Sequence, residues 1–361
     1  MLFFTGGTAL RDACRPLVRH THNSIHLVTP FDSGGSSARL RDAFGMLGVG
    51  DLRNRIVALA DESVHGNPAT QALFSYRFPD DTSPRALQLE LAGMAAGTHA
   101  LMTAVEDSLG RLLRSTLARF LERAPAFDLR GASVGNLLLA SGWLEHGDMA
   151  AVSFLFSHIV EARGVVLPTV DASLHLAAEL EDGSVVVGQH RLTGKSVAAI
   201  ARPIRRLWLT PGLDDPSEVD VAIDGEVSRL IANAELIVYP FGSFYTSVAA
   251  NLLPRGVARA VAANKVPKVF VPSLGADPEQ LGMSLSSCID ALVELARRDV
   301  PAARPTDLVT HLLMDPDGEL AARPDLDAVR ALGIDVVLAD LCVAPTRVEP
   351  ERFVTALLSF V

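Results

Sequence analysis

The sequence predicts an α/β protein: a doubly wound, mainly parallel sheet with helices on both faces and a β-hairpin embedded in it. Three observations carry this. Short apolar runs at residues 2–4, 25–28, 236–239, 269–271 and 334–338 alternate with helical stretches near 244–253, 284–297 and 351–359. Strands of that kind, apolar throughout and separated by helices, belong to a parallel sheet covered on both sides. The first two runs are joined by a glycine turn and a helical pattern, which makes the opening a β-α-β unit. Later, Asp182-Gly183 separates two β-rich runs, the signature of a tight hairpin.

In order along the chain, residues 2–4 run into Thr5-Gly6-Gly7-Thr8, after which Leu10, Cys14, Leu17 and Val18 recur at helical spacing. Ile25-His26-Leu27-Val28 then ends at Pro30, as a buried strand would. Residues 99–121 carry Leu101, Val105, Leu109, Leu112, Leu113, Leu117 and Phe120 at steps of three and four, the longest amphipathic helix in the pattern. The texture turns β-rich after Pro168, and the hairpin insert is expected at about 165–200. No internal repeat or low-complexity segment interrupts the chain, which reads as one domain over residues 1–361.

Composition narrows the function. The 361 residues are 49% hydrophobic and 20% charged, enough to bury a sizeable core. With 32 basic against 42 acidic residues the net charge is −10, which lacks the footprint of a general nucleic-acid binder. Lysine occurs only at Lys195, Lys265 and Lys268, and arginine supplies the rest. Cys14, Cys288 and Cys342 lie far apart with no C-x-x-C, which fits a reduced, cytoplasmic compartment rather than a disulfide framework or zinc site. The apolar start is too short for a signal peptide, and no apolar run reaches membrane-spanning length.

Ligands of open parallel sheets bind beyond the carboxyl ends of the strands. Gly6, Gly7 and Thr8 stand at a helix start, where free amides and the positive dipole end can hold a phosphate; the same turn also serves as a plain tight connection. The next loop, Asp32-Ser33-Gly34-Gly35-Ser36-Ser37-Ala38-Arg39-Leu40-Arg41, concentrates oxyanion donors, with Arg39 or Arg41 able to neutralise a phosphate. Its bland alternative is a serine-capped helix with surface arginines. Gly50-Asp51-Leu52-Arg53-Asn54 adds an acid, a base and an amide, Asp51 being equally suited to a plain N-cap. Pro240-Phe241-Gly242-Ser243-Phe244-Tyr245-Thr246-Ser247 repeats the glycine-and-hydroxyl pattern after a later strand.

Two attractive motifs fail on spacing. Gly188 to Lys195-Ser196 has five residues between its glycines where a P-loop needs four, and it follows a hairpin. His20, His22 and His26 look like metal ligands but read as solvated loop histidines without a second ligand set. H-E-x-x-H and G-x-G-x-x-G do not occur, which lowers zincin and ordinary dinucleotide dehydrogenase chemistry.

Taken together these loops resemble the superfamily of 2-phospho-L-lactate transferase (CofD) and the gluconeogenesis factor YvcK, closer to the latter branch and within it to a divergent group, the GAK-system CofD-like proteins. Further matches are Arg130-Gly131-Ala132-Ser133-Val134-Gly135-Asn136-Leu137, Glu179-Leu180-Glu181-Asp182-Gly183, and Asn251-Leu252 after the Gly242 loop. The resemblance implies a Rossmann-like sheet that binds a nucleotide diphosphate or nucleotide-sugar-like ligand, usually as a homodimer. By position, Gly6, Gly7 and Thr8 approach phosphate, Gly34, Gly35, Ser36, Ser37 and Arg39 extend the cradle, and Asn136, Gly242, Ser243 and Thr246 form the opposite wall. Asp51, Asn54 and Tyr245 complete the expected site, and Asp32 is the metal-side carboxylate if Mg2+ is used. The family's paired acids read Phe31-Asp32 here, its G-P-G-S loop reads Pro240-Phe241-Gly242-Ser243, and Cys288 stands where a histidine is usual. Those departures favour ligand binding with a regulatory role; the alternative is a magnesium-dependent phospholactyl-type transferase.

Overall fold

A computed structural model describes residues 1–194, 198–275, 277–316, 325–344 and 346–361. Lys195 and Ser196 of the P-loop-like segment lie outside them. Among the described residues twelve strands run in order: β1 (Leu2–Thr5), β2 (Ile25–Val28), β3 (Val165–Pro168), β4 (His175–Leu180), β5 (Val185–Val187), β6 (Ile204–Thr210), β7 (Ile237–Tyr239), β8 (Lys268–Phe270), β9 (His311–Met314), β10 (Asp335–Leu338), β11 (Cys342–Ala344) and β12 (Arg347–Val348). Seven of them form a parallel sheet of order β10-β9-β8-β7-β1-β2-β3. β1 and β2 align Leu2 with Ile25 and Thr5 with Val28, while Leu2 also faces Ile237 of β7. The chain builds outward from β1 to β3, then returns to β7 and builds the other way. The order therefore reverses between β1 and β7, which opens a crevice at their carboxyl ends. This Rossmann-like architecture is the fold class expected from the sequence.

Alternation along β1 sorts the core. Phe3 packs on one face with Leu17, Val238, Phe353 and Leu357, bringing helices Arg11–His20 and Pro350–Leu358 against the sheet. Leu2 and Phe4 point to the other face, under helices Gly225–Ala232, Val257–Ala263 and Leu285–Arg297. Between β2 and β3 eight helices intervene and bury a core of their own around Leu52, Phe74, Leu117 and Leu138.

Several expectations change in detail. The single helix over 99–121 is two, Ala100–Thr103 and Asp107–Arg123, because Glu106 is extended at φ −54°, ψ 141°. Val105 at the break stays buried, so the apolar spacing runs across an interruption that only the backbone shows. The Asp182-Gly183 turn does join β4 to β5, with Gly183 at φ +83°, where glycine is at home. A third strand, β6, pairs with β4 on its other edge, and residues 165–168 are β3 of the main sheet. The 244–253 stretch is a π-turn followed by a 3-10 turn. His26 is not a loop histidine: it is wholly buried in β2, stacked on Phe3 at 4.9 Å and hydrogen-bonded to Ser24 at 3.1 Å. Burial holds its imidazole well below the usual histidine range.

Buried Asn264 links helix Gly225–Ala232 to the approach to β8. Its amide donates to the carbonyls of Ile231, Ala232 and Ala234, and its oxygen accepts from the Val266 amide. Asn264→Ala leaves those groups unpaired and should lower unfolding free energy by about 1–3 kcal/mol in a urea titration. An unchanged midpoint would deny Asn264 that role.

Candidate functional site

The β1/β7 crevice holds a cavity of about 290 Å3. Of the residues singled out from sequence, Gly6, Gly7, Thr8, Asp32, Gly34, Gly35, Asp51, Gly242 and Ser243 line it. Close approach explains the glycines of the first loop. A Cβ on Gly6 would stand 2.3 Å from Ser247 Oγ, and one on Gly7 would stand 2.0 Å from Asp51 Oδ1. The absence of both side chains lets the β1 loop, helix Gly50–Ala58 and the 244–248 turn converge on one space.

The Asp32 loop is held from three sides. Asp32 Oδ1 accepts from the Gly34 amide at 3.0 Å, turning the chain into helix Gly35–Phe44. Arg41 is buried and donates to the carbonyls of Asp32 and Leu174, at 3.2 and 2.6 Å, so it braces the loop instead of facing the cavity. Burial lowers Arg41 to about 10. The Ser33 hydroxyl accepts from the His190 amide at 3.2 Å and shares a hydrogen bond with Nδ1 of the same residue at 2.8 Å. Burial holds His190 below its ordinary value. The short helix after β5 thereby closes the mouth through His190, Gln189 and Thr193, which belong to the P-loop-like segment that the spacing had set aside.

Other expected site residues support from behind. Ser37 Oγ accepts from the Gly50 amide at 2.8 Å, and Asp51 lies in that helix's first turn instead of capping it. Asn136 donates to Ser36 Oγ at 2.9 Å and accepts from Arg53 Nε at 3.4 Å. It belongs to the β2 side of the crevice, not to the wall opposite. Asn54 is half-buried outside the cavity lining. Arg39 turns away, donating to the Arg130 carbonyl and lying 3.5 Å from Asp128. Phe31, where the family carries an acid, is fully buried in the core.

The β7 wall is closed by carboxylates. Asp277 accepts from the Phe244 amide at 2.7 Å, while Glu279 accepts from the Thr246 amide at 2.8 Å and its hydroxyl at 2.6 Å. Thr246 and Tyr245 therefore face this buried cap; Tyr245 donates to the Ile204 carbonyl at 3.4 Å. The signal available in the sequence was Asp277-Pro278-Glu279 just beyond β8.

Beneath the first loop lies Arg55, which no motif marked. It is 0% exposed, and its guanidinium donates to Cys14 Sγ at 2.9 Å, Thr5 Oγ1 at 2.9 Å and the Gly6 carbonyl at 3.2 Å. All three partners are uncharged side chains or backbone, and among the described residues Arg55 makes no ion pair. Nor do any three His, Cys, Asp or Glu side chains among them cluster as a metal site. No helix among the described residues is long and apolar enough to cross a membrane.

Fold and crevice together define an open, doubly wound α/β protein with a glycine-walled ligand cleft at its switch point. The chain belongs to the 2-phospho-L-lactate transferase CofD family, whose model matches residues 1–342. It is 28% identical to the gluconeogenesis factor of Bacillus subtilis over 341 residues, 92% of this chain and 88% of that one. With the gluconeogenesis factor of Halalkalibacterium halodurans it shares 30% identity over 75% of this chain and 65% of the relative. A longer relative from Deinococcus radiodurans is 31% identical over 80% of this chain, which spans 49% of that protein. The crystal structure of a UPF0052-family protein from Bacillus halodurans superposes with a TM-score of 0.72 at 25% identity, covering 99% of this chain and 98% of the other.

Burial, then the charge of Asp277, pushes the Glu279 carboxyl up to about 7 from its ordinary 4.5. A carboxyl raised in the folded state stabilises below its unfolded value and loses that contribution as pH rises through the folded one. The melting temperature of the wild type should therefore fall, relative to Glu279→Gln, between about pH 4.5 and pH 7. Parallel melting profiles for the two proteins would refute this.

Proposed function

We propose that this protein binds the diphosphate of a nucleotide or nucleotide-sugar-like ligand in the β1/β7 crevice. Arg55 carries the reading. A wholly buried guanidinium without a carboxylate partner is costly, and its field acts through a low-dielectric interior on the loop above it. An anion received by the Gly6 to Thr8 loop and the N-terminus of helix Gly35–Phe44 supplies the missing charge. The β7 wall supports the same placement, since its Phe244 and Thr246 amides already serve Asp277 and Glu279. Phosphate is thereby assigned to the β1 and β2 loops, with Gly242 and Ser243 contributing shape.

The donor set also fits magnesium delivered by the ligand. That ion takes one or two carboxylates and completes its shell with phosphate oxygens and water. Asp32 would hold it, and Asp51 offers a second carboxylate to the same cavity. A bound magnesium would neutralise diphosphate charge; the chain itself would position the phosphates between Arg55 and Asp32.

A second reading, transfer of a phosphate-containing group, follows from the family's name and from these two carboxylates. No nucleophile is required of the protein in that case.

Calorimetric titration with UDP-N-acetylglucosamine and GDP, with and without magnesium, tests both. Metal-independent binding of the UDP-sugar alone favours the binding protein; magnesium-dependent GDP binding accompanied by binding of a deazaflavin alcohol favours the transferase. Thr8 lines the cavity and is exposed, so Thr8→Glu should fold normally and weaken nucleotide binding about tenfold or more by like-charge repulsion. The crevice is not the ligand site if Thr8→Glu binds nucleotide as the wild type does, or if no nucleotide binds at all.

A further inference from the structure

Four arginines gather on the β2 side of the crevice, around the 128–131 loop and the start of helix Val134–His146. Asp128 pairs with two of them, at 2.8 Å from Arg130 and 3.5 Å from Arg39. Arg53 and Arg77 make no ion pair among the described residues. Arg53 is 9% exposed, and its one hydrogen bond among those residues goes from Nε to Asn136, which leaves both Nη groups uncommitted. Arg77 is exposed, donates to the Gly131 carbonyl and has its backbone bridged to Ser133; its charge opposes that of Arg53, which Asp51 and Asp32 favour. The Arg53 stem is fitted closely: a Cβ on Gly135 would stand 2.8 Å from its Cγ.

We propose that Arg53 and Arg77 form a second oxyanion subsite beside the glycine crevice, which receives a phosphate or carboxylate group distinct from the diphosphate. A surface arginine pair without an acid is ordinary, because water and salt screen it. Here one member is buried and placed by Asn136 and Ser36, with both terminal nitrogens unbonded among the described residues. Two guanidiniums held against the 131–135 segment offer several N–H donors to one oxyanion, the chemistry by which arginine binds phosphate and carboxylate. Asp51 and Asp32 both line the crevice and both act electrostatically on Arg53, so the subsite adjoins it. The proposal rests on the diphosphate reading only for what occupies the crevice next door. The group bound at Arg53 and Arg77 is either the far end of the same ligand or a separate small acid.

Inorganic phosphate is the probe, titrated calorimetrically into full-length protein. The Thr8→Glu variant, whose crevice repels anions, should still bind phosphate, and adding Arg77→Met should weaken that binding about tenfold or more at an unchanged melting temperature. Arg53→Lys, which keeps the charge and loses the planar fork, should weaken it as well. In wild-type protein saturated with UDP-N-acetylglucosamine, continued phosphate binding identifies a separate acid as occupant, and competition identifies the ligand's own end group. Failure of all nucleotides to bind would sink the diphosphate reading while leaving Arg77-dependent phosphate binding intact. The subsite does not exist if Thr8→Glu fails to bind phosphate at millimolar concentration, or if Arg77→Met leaves that affinity unchanged.

Discussion

Arg55 is the contact on which the crevice depends. Its guanidinium joins the end of β1 through Thr5 and Gly6, helix Arg11–His20 through Cys14, and its own helix Gly50–Ala58. Those elements form one side of the switch point, and β1 is the strand from which the sheet grows in both directions. A neutral side chain of similar size would fill the volume, but it would leave the Thr5 hydroxyl oxygen and Cys14 Sγ without their donor and the Gly6 carbonyl with the Thr5 hydroxyl alone. The charge is tolerated because three acceptors surround it. It stays uncompensated because none of them is an anion. Structural support and anion recognition are thus supplied by the same group.

The two walls of the crevice then differ in kind. On the β1 and β2 side, glycines remove side chains and the cavity is lined by loop backbone. On the β7 side, Asp277 and Glu279 occupy the amides that open the 244–248 turn. A helix start served by an internal carboxylate is already neutralised, so it adds rigidity where its bare amides would add affinity. The same substitution of roles occurs at Arg41, which spends its donors on the carbonyls of Asp32 and Leu174 and fixes the loop that carries the acid.

How much of this was legible follows from range. The β1-helix-β2 unit, the Asp182-Gly183 hairpin and the glycine loops depend on neighbours in sequence, and their punctuation is visible there. Strand β6 was missed because Arg205-Arg206 interrupt its apolar run, and β9 because His311-Leu312-Leu313-Met314 is short; pairing with β4 and with β8 and β10 makes them strands. The break before Asp107 is invisible to apolar spacing. Site chemistry failed differently. Arg39 was expected at phosphate because it sits among serines, yet one turn of helix faces it towards Asp128. Arg55 carries no local motif and Glu279 only the Asp277-Pro278-Glu279 string, since what marks both is burial, and burial is a property of the assembled fold.

A net charge of −10 and an anionic ligand are compatible for a reason of distance. Charges separated by more than roughly 10 Å are largely screened at ordinary ionic strength, whereas groups inside a crevice interact through protein. Many surface arginines are already matched, as in Arg19–Glu351, Arg119–Glu145 and Arg163–Asp61. The unmatched ones at the crevice, Arg53, Arg55 and Arg77, therefore dominate locally. Asp32 and Asp51 stand among them, and on the proposed reading that mixture discriminates: a bare oxyanion meets both attraction and repulsion, while a diphosphate carrying its own divalent ion presents each carboxylate with a cation and each guanidinium with an oxygen. The acidic surface works in the same direction, because it disfavours approach of highly charged free anions more than of their neutralised metal complexes.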